Sequence, residues 1–289
     1  MRKLSPLVPS GNIYFDTKDF SNREGHEVDT IVGHTTGGRL VELALAMLEM
    51  TTTAKRLKAL ESRTLSDKVS RHAARFYAAA NAMSTTYVIG WHGERYQILP
   101  ETVRAWSAGI AAADARLYTQ GFNEWSKYEY IGGKLTKAKP ERYTFWLDMY
   151  CTALEIDFAA LPPFEQAALL RKASPYDLFD GRNPDLTAIS VDFVAPPYME
   201  YDASGVRRKG PNHEMYRFGA LPYTEQQHLS FHELAKDIAS EYPKYTLTRR
   251  RTLPHSATNP LTRSRVEKGV AWGWDPGDVN WSLLLYGAG

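Results

Sequence analysis

Three residues in this chain have the type and setting of metal ligands: His34, His255 and Asp275. His34 closes a β-branched run, Val28-Asp29-Thr30-Ile31-Val32, and begins the stretch His34-Thr35-Thr36-Gly37 just past Gly33. A strand end that gives way to a Gly-containing loop is a rigid base with an open top, a setting suited to a ligand. His255 opens an irregular loop, Pro254-His255-Ser256-Ala257-Thr258-Asn259-Pro260, and Asp275 stands in Trp274-Asp275-Pro276-Gly277, where Pro and Gly enforce a turn. Two neutral imidazoles and one carboxylate suit a catalytic Zn²⁺, because three protein ligands leave a fourth position for water. Such an ion lowers the pKa of water toward ~7 and polarises a scissile carbonyl. Spacing alone does not bring the three together, and a lone histidine equally well hydrogen-bonds nearby backbone.

The elements that must position them follow from periodicity. Val28–Val32 reads as a buried strand, and Gly37-Gly38 opens a helical pattern in which Leu40, Leu43, Ala44, Met47 and Leu48 recur at three- and four-residue intervals. A second helix over about 66–82 carries Val69, Ala73, Phe76, Tyr77 and Ala80. Thr86-Tyr87-Val88-Ile89 and Arg95-Tyr96-Gln97-Ile98-Leu99 flank a Gly-containing turn and predict a hairpin. Helices are expected near 140–156 and 164–172, within an aromatic- and proline-rich stretch over 110–185 that no flexible linker isolates. Ile189–Val194 predicts a further strand closed by Pro196-Pro197. Thr224-Glu225-Gln226-Gln227 fits a capping box opening a helix to about 241, stopped by Pro243, with Leu229, Leu234 and Ile238 on or near its buried side. Tyr245-Thr246-Leu247-Thr248 predicts a strand leading toward His255. Strand, helix, hairpin, strand, helix is the order of a mixed α/β domain.

The bulk numbers bound the function. Hydrophobic residues make up 43% and charged residues 24% of 289 residues, as in ordinary globular proteins, and a net charge of +2 is too small to argue for nucleic acid as a partner. The single cysteine, Cys151, excludes an internal disulfide framework and reads as a buried structural thiol in an apolar stretch. No segment reaches the ~18 uninterrupted apolar residues of a membrane span, and the N-terminus lacks the apolar core of a secretory signal.

Other groups are weighed and set aside. His228 and His232 stand four apart on the expected helix, a spacing that can bind metal, but the His-Glu-x-x-His order is absent and a solvated helix face is the plainer expectation. Arg207-Arg208-Lys209 and Arg249-Arg250-Arg251 read as solvated surface more readily than as contacts to an anionic polymer. Tyr118, Phe122, Trp125, Tyr128 and Tyr130 could stack on sugar rings, but packing of the 110–185 stretch accounts for them better. Gly37-Gly38 is no phosphate loop, since no Gly-Lys-Ser/Thr follows.

Six short blocks, in order, resemble the type 2 N-acetylmuramoyl-L-alanine amidase family, which includes phage lysozyme amidases and animal peptidoglycan recognition proteins. Ile31–Gly37 resembles the first ligand block, and Thr86–Gly93 with Tyr96-Gln97-Ile98-Leu99-Pro100-Glu101 resembles the family's hairpin. Ala105-Trp106-Ser107-Ala108-Gly109 resembles Ala-Trp-His-Ala-Gly, with Ser107 in place of the histidine. Ile189–Phe193 resembles the strand usually read Ile-Gly-Ile-Glu-Leu, Thr224–Tyr242 the helix before the second ligand block, and Pro254-His255-Ser256 with Asp275-Pro276-Gly277 the closing pair of metal blocks.

The resemblance implies a central mixed β-sheet flanked by helices, amidase/peptidoglycan-recognition-like, with an N-terminal arm over 1–27, a catalytic domain over 28–289 and insertions near 45–75, 110–185 and 195–218. It implies Zn²⁺ on His34, His255 and Asp275, with Asp192 in the place of a Glu that serves as general base. Thr85 stands where phage-type members carry a Tyr, and Gly273 where many carry a Lys, so that Lys268 or Arg265 is left to supply the cation. The catalytic candidates are thus Asp192, Thr85 and Lys268. The implied activity is zinc-dependent cleavage of the amide between N-acetylmuramic acid and L-alanine, with peptidoglycan as partner, no nucleic acid and no membrane span. An endolysin or delivered effector, made in the cytoplasm and acting on the wall after lysis or delivery, fits that picture. A peptidoglycan-binding module without turnover, or a structural virion component, is the alternative, and an immunity or inhibitor partner stays open.

Overall fold

The computed structural model describes residues 20–36, 38–79, 85–131, 134–138, 143–195, 223–263, 265–267, 270–272 and 279–288. Eleven strands are described: β1 (Phe20–Asn22), β2 (Thr30–Thr35), β3 (Tyr87–Ile89), β4 (Arg95–Gln97), β5 (Val103–Ala105), β6 (Tyr128–Ile131), β7 (Lys134–Lys137), β8 (Ala188–Phe193), β9 (Thr252–Pro254), β10 (Arg265–Glu267) and β11 (Val270–Trp272). Five of them form the central sheet in the order β4-β3-β8-β2-β9. Only the β3–β4 hairpin is antiparallel; β3–β8, β8–β2 and β2–β9 are parallel, so the sheet is mixed. The fold is α/β, with helices against both faces of this sheet.

Side chains alternate along each strand, and the alternation sorts the two faces. One face presents Ile31, Tyr87, Ile89, Ile189, Val191 and Phe193 to Phe231, Leu234, Ala235 and Ile238 of the Glu225–Glu241 helix and to Leu284 of the C-terminal Trp281–Tyr286 helix. The other face is covered in two parts. Val88, Tyr96 and Val194 pack on Val41, Ala44, Leu45, Val69 and Ala73 of the Gly38–Met47 and Arg63–Ala79 helices. Val32, Ala188 and Leu253 pack against an aromatic cluster from 118–179. A polar seam runs between these two apolar parts, and His34, Asp192 and His255 lie in it.

Several expectations are altered. The strand expected over Tyr245–Thr248 is absent; β9 begins at Thr252, and Tyr245 is instead a buried packing residue whose hydroxyl meets Thr252 Oγ1 at 2.9 Å. In the Gly38–Met47 helix, Leu43 and Met47 are exposed, and Val41, Ala44 and Leu45 form the inner stripe. Within the expected N-terminal arm, β1 pairs antiparallel with β5. The capping box is present as expected: Thr224 Oγ1 accepts from Gln227 N, and the Gln227 side chain accepts from Thr224 N. No helix among the described residues is long and apolar enough to cross a membrane.

Candidate metal centre

His34 is the fifth residue of β2, and His255 follows β9 directly. The parallel β2–β9 register pairs Gly33 with Pro254, so the two histidines leave adjacent strands side by side. Proline is tolerated at 254 because β9 is an edge strand with no outer neighbour in this sheet. On the other side of β2, His34 pairs in register with Asp192 of β8. Asp192, His34 and His255 therefore stand abreast on three neighbouring parallel strands, about 4.8 Å apart at the backbone. All three are buried.

The imidazoles converge. Their Nδ1 atoms are 3.0 Å apart, with ring centroids at 4.3 Å and planes inclined by 56°. At that separation the two nitrogens can share one proton or one metal ion, and the second is tested by simple geometry. Zn–N bonds of about 2.0–2.1 Å at a tetrahedral angle place two ligand nitrogens about 3.3 Å apart, close to the spacing observed. The donor set fits a metal ion. Among the described residues no third His, Cys, Asp or Glu joins the pair in a metal-ligating group. Asp275 and Lys268, expected as third ligand and as cation, lie outside the described residues, as do Gly273 and the Arg207-Arg208-Lys209 run.

Thr85 is fully buried, and its hydroxyl is engaged by backbone, donating toward Ser190 O at 3.0 Å and Tyr87 O at 3.2 Å. It thereby ties the chain entering β3 to β8. Ser190, two residues before Asp192 on the same strand face, is hydrogen-bonded through its hydroxyl to that of Ser107. Ser107 is thus brought beside the polar seam at the position where the resembled family has histidine.

Asp185, which sequence inspection passed over, holds this loop. Its Oδ1 accepts the Ala108 N–H at 2.8 Å, the Ser107 amide is also turned to it, and a Cβ on Gly109 would overlap Oδ2. Asn183-Pro184 is a legible signal: Asn183 caps the Pro184–Thr187 helix by accepting from Asp185 N, which fixes where the carboxylate points. Burial pushes the Asp185 carboxyl up to about 6, against the opposing pull of the Ala108 amide, Arg104, the Ser107 amide and Arg23. A raised carboxyl binds more protons folded than unfolded between the two pKa values, so stability falls as pH rises from about 4 to about 6. Asp185→Asn is expected to remove this slope, worth on the order of 3 kcal/mol. Denaturant unfolding of both proteins at pH 4, 5, 6 and 7 checks it, and identical slopes would refute the assignment.

His255 is buttressed by the 110–185 stretch. Trp146 Nε1 donates to Ala257 O at 3.1 Å, in the short His255–Thr258 helix. Tyr118 OH donates to Asn259 Oδ1 at 2.7 Å and accepts from Leu261 N at 3.1 Å. Tyr118 and Trp125 are fully buried, and Trp125 packs edge-on to Trp146 at 4.8 Å. These aromatics form a core, as expected, and not a glycan groove.

The histidine pair on the long helix lies otherwise than expected. His228 is buried, donates through Nδ1 to Thr224 O at 2.7 Å and accepts from Asn280 N at Nε2 at 2.9 Å. His232 Nδ1 meets Leu284 O at 3.1 Å. Both fasten the C-terminal helix, because that helix lies along the face expected to be solvated. The arginine run is likewise internal in its bonding: Arg249 lies 3.5 Å from the Trp281 ring centre, and Arg250 and Arg251 each reach Asp180 at 3.0 Å.

No protein-family model matches the chain, and no curated protein matches it. Among solved structures it is distantly similar to the crystal structure of a selenomethionine derivative of AmpD, with 11% identity and a TM-score of 0.37 over 91% of this chain and 89% of that one. A likeness of this degree says nothing of activity.

Proposed function

We propose that the protein is a zinc-dependent hydrolase of bacterial peptidoglycan that cleaves the amide between N-acetylmuramic acid and L-alanine. The observation that carries the proposal is the meeting of His34 and His255 Nδ1 at 3.0 Å on adjacent parallel strand ends, with a buried carboxylate on the next strand. The six sequence blocks of the resembled amidases, in family order, support the substrate. His34, His255 and Asp275 would hold the ion, which when bound supplies Lewis acidity toward a carbonyl oxygen and acidifies water.

The chain's own groups carry the remaining work. The two histidines serve as neutral donors, each turning Nδ1 to the shared point. Asp192, in register with His34, is the proton acceptor for the attacking water and returns that proton to the departing amine. Thr85 is a positioning residue that anchors β8 through the Ser190 carbonyl. Lys268 is proposed as the cation that steadies the tetrahedral oxyanion. Action on the wall follows lysis or delivery.

The experiment is incubation of the purified protein with peptidoglycan, with chelator and with added zinc, scoring new L-alanine amino termini. Release that chelator abolishes and zinc restores is the expected result. Asp192→Asn is expected to keep its zinc while losing about 100-fold or more in rate, the usual scale of general-base loss. Zinc retention without release by the parent protein would replace hydrolysis with a binding role; release indifferent to zinc would overturn the metal assignment.

A further inference from the structure

We propose that the outer surface of the layer formed by the Gly38–Met47, Thr53–Glu61 and Arg63–Ala79 helices docks on an anionic phospholipid bilayer. Leu43, Met47 and Leu57 would enter the interface, and the Lys and Arg side chains around them would meet the headgroups. Such docking goes beyond the proposed hydrolysis and does not depend on it.

A surface helix ordinarily turns a polar face to water. The Gly38–Met47 helix is apolar on both sides: Val41, Ala44 and Leu45 face the core, whereas Leu43, Ala46 and Met47 point outward. Leu43 is 46% and Met47 61% exposed, one turn apart on the same face. Leu57, 42% exposed, belongs to the Thr53–Glu61 helix. The two helices are fastened together, because Arg56 Nη1 and Nη2 reach the Glu42 carboxylate at 3.0 and 2.5 Å and Lys55 Nζ donates to Glu49 O at 2.9 Å. Leu43 and Leu57 are each the chain neighbour of one member of that ion pair. Single exposed apolar residues are ordinary, but a gathering of them marks an interaction surface.

The charge around them has one sign. Residues 53–79 hold seven Lys and Arg against Glu61 and Asp67, a net of +5, whereas the whole chain carries only +2, which leaves −3 for the remainder. Lys55, Lys58, Arg63, Lys68, Arg71 and Arg75 are exposed. Lys68, Arg71 and Arg75 recur at three- and four-residue spacing on the outer side of a helix whose inner side is Val69, Ala73 and Ala74. Arg71 pairs with Asp67 at 3.1 Å, while Lys58, Arg63, Lys68 and Arg75 have no acidic partner among the described residues. Long cationic side chains beside apolar ones suit a bilayer interface, where the apolar groups pass the headgroup level and the charges stay among the phosphates. Each cation held near an anionic leaflet adds to the attraction. A nucleic acid would engage the cations but leave the exposed Leu and Met side chains unmatched. A second copy of the chain would set like charges against one another. Because β2 ends at Thr35 and the first of these helices begins at Gly38, docking would hold the two histidines at a fixed height above the lipid.

The test is cosedimentation of the full-length protein with vesicles of phosphatidylglycerol and phosphatidylethanolamine in equal parts, with pure phosphatidylcholine as the neutral control. Binding to the anionic vesicles is expected by about 1 mM lipid, with none to phosphatidylcholine. It should weaken at least about tenfold as ionic strength rises from about 0.01 M to about 0.15 M. The combined variant Leu43→Ser, Met47→Ser, Leu57→Ser should lose about tenfold or more in affinity. The combined variant Lys58→Gln, Lys68→Gln, Arg75→Gln should lose about 100-fold. All six positions are exposed, so thermal unfolding of both variants should match the parent, which separates lost docking from lost folding. No binding to anionic vesicles at about 1 mM lipid would overturn the proposal. So would unaltered vesicle binding in the serine variant, and duplex DNA bound as tightly as vesicles would then make the surface a polyanion site. Amide release measured on the same samples keeps the two ideas apart. Vesicle binding without release overturns the hydrolase and leaves the docking surface, whereas release without vesicle binding does the reverse.

Discussion

Alanine at either His34 or His255 is expected to strip the protein of zinc and of amide hydrolysis together. The Nδ1–Nδ1 separation is 3.0 Å, and among the described residues no further His, Cys, Asp or Glu forms a metal-ligating group with the pair. On the proposed three-ligand site, removing one histidine is expected to weaken zinc binding by at least about 100-fold, given the size of protein–zinc binding energies shared among a few ligands. Competition against a chelator of known affinity measures it, and hydrolysis should fall below detection at ordinary zinc concentrations. The control is His228→Ala. That residue is also a buried histidine, but its ring nitrogens are bonded to backbone, Nδ1 to Thr224 O and Nε2 to Asn280 N, and its loss should leave zinc stoichiometry unchanged. A His34→Ala protein that still held one equivalent of zinc as tightly as the parent would remove the site altogether.

The second large effect is at a position far from the row. Gly121 has φ of 80°, which an L side chain adopts only with strain, and a Cβ there would overlap the carbonyl oxygen of Arg171. The obstacle is backbone, so it cannot swing aside. Gly121→Ala is therefore expected to cost about 3 kcal/mol or more, combining left-handed strain with a forced backbone shift. Thermal unfolding measures it, and a loss under about 1 kcal/mol would refute the account. Because Tyr118 and Trp146 of the same aromatic core bond to Asn259 and Ala257, this substitution should also lower zinc affinity without touching a ligand.

The parts of the fold that were legible in the sequence are those set locally. β2 and β8 are β-branched runs buried on both faces, and the Thr224–Gln227 capping box announces its helix by side chains that bond to the helix's own backbone. His34 stands out in the sequence because it sits at the end of a recognisable strand, whereas the strand that carries His255 to it, β9, is not recognisable there. What escaped is set by distant partners. β9 is three residues at a sheet edge, defined by its register against β2, whereas the better strand-former Tyr245–Thr248 turns inward to pack. Arg250 and Arg251 read as surface until Asp180, some 70 residues earlier, is seen beside them. Asp185 carries no motif of its own; only the loop folded over it shows what its carboxylate does.

The topology gives the two imidazoles one more consequence. They stand 221 residues apart in the chain, and one of them hangs from a three-residue edge strand. An ion gripped by both would close roughly three quarters of the polypeptide into a ring, a restriction worth about 5 kcal/mol against the unfolded chain by the loop-entropy relation for a cross-link of that length. The centre would then be a keystone as well as a reaction site. Folding must bring the edge strand β9 home before the ion can be held, and the ion, once held, keeps that strand from leaving.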